Sequence, residues 1–102
     1  MKILRTFISP VVLLFTFSFS EAQTYDPAKV NPKAVALYTQ AQERAEDGNY
    51  ASAAGLLQKA VEMDRNYVDA YLALGSVFGI LKNYQTSVNH FEKAFTIDPV
   101  YT

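Results

Sequence analysis

Few residues in this chain could carry out chemistry. His90 is the single histidine of the 102 residues. A catalytic histidine needs a nucleophile or carboxylate placed beside it. Glu92 is two residues further on, which on a helix is a different face. His90 also lies off the apolar stripe Val88, Phe91 and Phe95, so its position predicts a solvated side chain. Glu43, Glu46 and Asp47 form an acidic cluster, but they lack the oxygen-rich loop that calcium requires and predict a solvated turn. There is no cysteine, which excludes a thiolate nucleophile, a thiolate metal site and a disulfide framework. No Gly-rich phosphate loop and no Gly-x-Ser-x-Gly are present. The expectation is a protein that is not an enzyme, with no cofactor, no metal and no small-molecule substrate. The formal net charge is -1 and the basic residues are scattered, which argues against nucleic acid as a partner.

The N-terminus has an organisation of its own. Lys2 and Arg5 precede an uncharged stretch over residues 6–20, rich in Phe, Val, Leu and Ile. A basic start, a short apolar run and small residues after it are the parts of a secretory signal peptide. A spanning helix needs about 20 apolar residues, and this stretch is shorter and contains Pro10. Small residues favour cleavage after Ala22, with Ser20 as the second choice. The expectation is a signal peptide over 1–22 and an exported, periplasmic or secreted protein. An uncleaved membrane anchor is the alternative. A lipoprotein would need a cysteine at the new N-terminus. Residues 23–33 hold Pro27 and Pro32 and little apolar content, and predict an extended lead-in, with Asn31 capping the next helix.

The rest of the chain repeats. Residues 34–67 shifted by 34 fall on residues 68–101, with identity at Ala36/Ala70, Asn49/Asn83, Tyr50/Tyr84, Lys59/Lys93, Ala60/Ala94, Asp64/Asp98 and Tyr67/Tyr101. Chance would give roughly two. Each unit splits into two helical patterns. Tyr71, Leu74, Gly75 and Phe78 mark one helical face, and Tyr84, Val88, Phe91 and Phe95 another. Leu37, Ala41 and Ala45, then Tyr50, Ala53, Leu57 and Val61, are their counterparts in the first unit. Gly48 suits a left-handed helix end, and Asn66 with Asp69 is close to a capping box. Nothing alternates with period two, so no strands are predicted. The fold class is all-α.

The second unit resembles the tetratricopeptide repeat, whose signature slots hold Tyr71, Leu74-Gly75, Phe78, Ser87, Phe91, Ala94 and Pro99, with Tyr84 opening the second helix. The first unit is a weaker copy, with Leu37, Gln40-Ala41, Arg44, Ala53, Leu57, Ala60 and Arg65. Gln40, Arg44 and Arg65 depart from the pattern, and the first two suit an N-terminal repeat with no preceding helix to touch. The resemblance implies two tandem helix-turn-helix hairpins over 34–67 and 68–101, an α-solenoid that begins a right-handed superhelix. Small residues let helices cross closely, and Tyr50, Tyr71 and Tyr84 take packing slots.

The resemblance also implies a function. First helices of such repeats line a concave groove that holds peptides. The groove slots are Val35, Tyr38, Gln42, Asp69, Leu72 and Ser76. They do not match the basic clamp of members that grip a C-terminal carboxylate. A ligand here would be held by aromatic and apolar contact with a few amide bonds. A second surface follows from the repeat count, since one hairpin cannot bury its apolar face without the next. Val88 and Phe95, with part of Ala94, would receive the first helix of a following repeat. The expectation is an exported, non-catalytic protein–protein interaction scaffold. Its partner is a protein or peptide, further repeats, or a second copy in a homo-oligomer. The alternative is the N-terminal segment of a larger envelope protein with propeller or cell-wall-binding domains.

Overall fold

Local sequence sets where each helix starts and stops. The computed structural model describes residues 25–100. The signal peptide expected over 1–22, the first two lead-in residues, and Tyr101 and Thr102 lie outside that range. The lead-in is not wholly extended. Asp26 accepts a hydrogen bond from the Ala28 N–H at 3.0 Å, and Pro27–Lys29 form one turn of 3-10 helix. Four α-helices follow: α1 (Pro32–Glu46), α2 (Tyr50–Met63), α3 (Val68–Ile80) and α4 (Tyr84–Ile97). No strand occurs among the described residues. None of the described helices is long and apolar enough to cross a membrane.

Asn31 caps α1 as its type predicts, accepting from the Lys33 N–H at 2.8 Å with Pro32 in the first turn. Asn49 caps α2 through the Ser52 N–H at 3.3 Å. Asn83 stands at the same place before α4 but makes no side-chain cap bond. The capping box from Asn66 to Asp69 does not form. Tyr67 is the N-cap of α3, one residue later, without a side-chain bond. The turn before it is instead held by Asp64, which accepts from the Asn66 N–H at 3.1 Å and from the Asn31 N–H at 3.0 Å. Asp64 thus ties the end of α2 to the start of α1 and closes the first hairpin.

Both hairpin turns use one device. Gly48 has φ +80°, Gly48 N–H bonds to the Ala45 carbonyl at 2.9 Å, and Asn49 N–H to that of Arg44 at 2.8 Å. This is a Schellman helix end. Thirty-four residues on, Lys82 has φ +66°, its N–H bonds to Gly79 O at 3.0 Å, and Asn83 N–H to Phe78 O at 2.9 Å. The second turn therefore holds a side chain in a backbone conformation that suits glycine.

The helices pack in chain order, α1 on α2, α2 on α3 and α3 on α4, giving two tandem helix-turn-helix hairpins stacked as a solenoid. The small-residue positions are the crossings: Ala41, Ala53, Ala60, Gly75, Ser87 and Ala94 are all buried. Ser87 is tolerated there because its hydroxyl donates to the Gly75 carbonyl at 2.6 Å.

Helix α3 has two buried faces. Tyr71, Gly75, Phe78 and Gly79 meet α4. His90 stacks on Phe78 and Tyr71, with ring centroids 5.5 and 6.3 Å apart, and Gly75 and Gly79 lie against Phe91 and Ser87. Val68 is buried a turn before Tyr71, and the other buried residues, Ala70, Leu74 and Val77, recur at i, i+4 and i+7 one position before Tyr71. The other helix that α3 packs against is α2.

Candidate functional site

On α4 the residues turned inward are Ser87, His90, Ala94 and Ile97, with Ser87 and Ala94 fully buried. The apolar stripe Tyr84, Val88, Phe91 and Phe95 faces largely outward. Phe91 shares itself between the two faces. Its ring covers Gly75, yet the residue is 41 % exposed. Ala94 belongs to the inner face rather than to the outer flank where its spacing had placed part of it. Tyr84 is exposed, not in a packing slot, whereas Tyr71 is buried and donates its hydroxyl to the Arg65 carbonyl at 3.1 Å. Tyr50 is half-buried.

The counterpart stripe on α2 shows what this flank lacks. Shifting back by 34 gives Tyr50, Ala54, Leu57 and Val61. Ala54 is 6 % exposed against 47 % for Val88, and Leu57 is 2 % against 41 % for Phe91. Val61 and Tyr50 are half-buried, while Phe95 and Tyr84 are exposed. Helix α3 packs against α2 beside this stripe. Among the described residues nothing covers its equivalent on α4. Val88, Phe91, Glu92, Phe95 and Thr96 line an open, mainly apolar concavity there.

The groove residues are less united. Tyr38 is half-buried with its ring against Tyr67, centroids 5.4 Å apart and tilted by 39°. Burial, followed by the nearby Asp69 carboxylate, pushes the Tyr38 phenol above its ordinary range. Asp69 accepts a hydrogen bond from the Tyr25 hydroxyl at 3.3 Å, so the lead-in reaches the second hairpin. Leu72 is half-buried against the core, and Val35, Gln42 and Ser76 are exposed. Tyr38 and Asp69 are thus brought together, and Tyr25 and Tyr67 join them. The Tyr67/Tyr101 identity was the one sequence signal for Tyr67. Tyr25 had none.

The second hairpin has small buried residues at its crossing and the same helix end as the first. Residues 68–101 match the family model of the tetratricopeptide repeat. The match covers the second unit. No match to the chain was found among curated proteins.

Within that repeat, His90 corrects an expectation. It is half-buried rather than solvated, packed between the rings of Tyr71 and Phe78, and burial lowers its pKa from the usual histidine value. It lies three residues after Ser87 and four before Ala94, on the inner face. The face could be chosen only once the covered side of α4 was known. Glu43, Glu46 and Asp47 are exposed at the end of α1, and no group of three acidic or histidine side chains among the described residues is placed to hold a metal ion. Among the described residues, α4 presents an exposed apolar stripe.

Proposed function

We propose that this protein is a non-catalytic interaction scaffold whose α4 stripe, Tyr84, Val88, Phe91 and Phe95, receives an apolar helix from a protein partner or from further repeats. The observation that carries this reading is the burial contrast with α2, which has α3 packed against it and whose same four positions are buried or half-buried. A helix that covered α4 would bury side chains each worth about 1.5–3 kcal/mol when fully removed from water. The Tyr38 and Asp69 surface is the secondary contact region, for an extended peptide held by aromatic contact. Tetratricopeptide repeats typically serve as interaction modules, which supports a scaffold rather than an enzyme.

The basic start and apolar run of residues 1–22 support export to a periplasmic or extracellular space, with an uncleaved membrane anchor as the alternative. The uncovered α4 flank also favours the second reading, in which this chain is the N-terminal segment of a larger envelope protein and the next unit docks there. Reading the gene past Thr102 separates the two.

A labelled peptide with the sequence of residues 68–81 imitates the helix that covers α2. Fluorescence anisotropy should show it binding the chain, and Phe95→Lys should abolish the binding without loss of helical signal. Equal binding to both proteins would refute the α4 flank as the docking surface.

A further inference from the structure

Given the α4 flank as a docking surface, we infer that its occupant is a second copy of this chain, paired α4 to α4 antiparallel about a two-fold axis. Three observations converge on this arrangement.

The first is the spacing of the stripe. Tyr84, Val88, Phe91 and Phe95 are separated by four, three and four residues, the same in either direction. Antiparallel pairing sets Tyr84 against Phe95 of the other copy and Val88 against its Phe91, in both halves at once. That reciprocity is what a closed two-fold interface requires. Three of the four residues are aromatic, a type that pairs well edge-to-face.

The second is the far end of the stack. A head-to-tail assembly would lay α1 of one copy on α4 of the next, as α3 lies on α2. The α1 counterparts of Ala70, Leu74 and Val77 are Ala36, Gln40 and Glu43, all exposed. Gln40 and Glu43 would meet Val88, Phe91 and Phe95, and a carboxylate desolvated against aromatic rings is costly. The polar α1 end blocks open-ended stacking and leaves the α4 end to close on itself.

The third is the size of the stripe. Val88, Phe91 and Phe95 are each larger than Ala54, Leu57 and Val61, their counterparts on α2. A second α4 brings a broad apolar stripe of its own. The rim beside it is polar, with the Gln85 amide donating to Asn89 Oδ1 at 3.1 Å.

Cysteine cross-linking tests the geometry directly, because the chain contains no cysteine. Helical rise is about 1.5 Å per residue, so copies of Val88 stand about 4.5 Å apart along the paired helices and copies of Tyr84 about 16 Å. With a short thiol-specific cross-linker, the full chain carrying Val88→Cys should link to itself. Tyr84→Cys alone and Phe95→Cys alone should not, while a mixture of the two should form the mixed product. Phe95→Lys added to Val88→Cys should cut the yield at least tenfold. Self-linking of Tyr84→Cys would overturn the antiparallel arrangement. Linking between Val88→Cys and Glu43→Cys would overturn the closed pair in favour of head-to-tail stacking. No product from any variant would overturn the second copy as occupant. Binding of the 68–81 peptide by such an unlinked chain would leave the docking surface itself standing, and its absence would remove both.

Discussion

Gly75 and Phe91 are in such close contact that a methyl group on Gly75 would lie 2.7 Å from the Phe91 Cε1 and Cζ atoms. The glycine lets α4 approach α3 closely enough for the Ser87 hydroxyl to reach the Gly75 carbonyl. Phe91 in turn belongs to both the hairpin interior and the outer flank, since its ring packs on Gly75 while the residue is 41 % exposed.

A larger side chain at Gly75 must therefore drive the ring outward or part the helices. Gly75→Leu should lower stability by about 1–3 kcal/mol. Ser76→Leu, one residue away on an exposed position, should change it by less than about 0.5 kcal/mol. Paired thermal melts measure both, and equal losses would contradict the helix register described above.

Lys82 carries the conformational cost that glycine removes at the equivalent turn. Lys82→Gly should raise stability by about 1 kcal/mol, because the left-handed backbone is unfavourable for a residue with a Cβ. Gly48→Lys should lower it by a similar amount, although nothing lies within 4 Å of a Cβ there, so the loss is one of backbone conformation alone. Urea midpoints of the two variants should move in opposite directions.

Histidine packing gives the protein a pH dependence. Burial between Tyr71 and Phe78 lowers the His90 pKa in the folded state, so the unfolded chain takes up this proton first as pH falls below about 6.5. The contribution of neutral His90 is complete above that value and is lost as pH drops towards and through the lower folded pKa. Between pH 7.5 and 5.5 the melting temperature of the wild type should fall, and that of His90→Phe should fall less. Identical slopes over this window would show that the imidazole is solvated after all.

The four helices, the Asn31 cap and the Gly48 turn were legible because each depends on residues within a few positions of one another. The covered face of α4 was not. Its inner residues, Ser87, His90 and Ala94, are small or polar, while its outer stripe is the more apolar one, so hydrophobic periodicity points to the side that no described residue covers. Only the comparison with α2 shows that both faces are of the kind other helices cover. Lys82 was hidden because lysine is not a turn residue, and only equivalence with Gly48 would have marked it. The candidate groove was legible in part. Tyr38 and Asp69 do meet, but Tyr25 and Tyr67 join them through contacts between the lead-in, α1 and the start of α3, which no local pattern encodes.

The uncovered α4 stripe is best tested by sedimentation equilibrium of the full chain over a hundredfold concentration range, wild type beside Phe95→Lys. The wild type should pass from monomer to dimer as concentration rises, and Phe95→Lys should remain a monomer with the same helical content. A wild-type chain that is fully helical and monomeric at every concentration would contradict the pairing of α4 with a second copy.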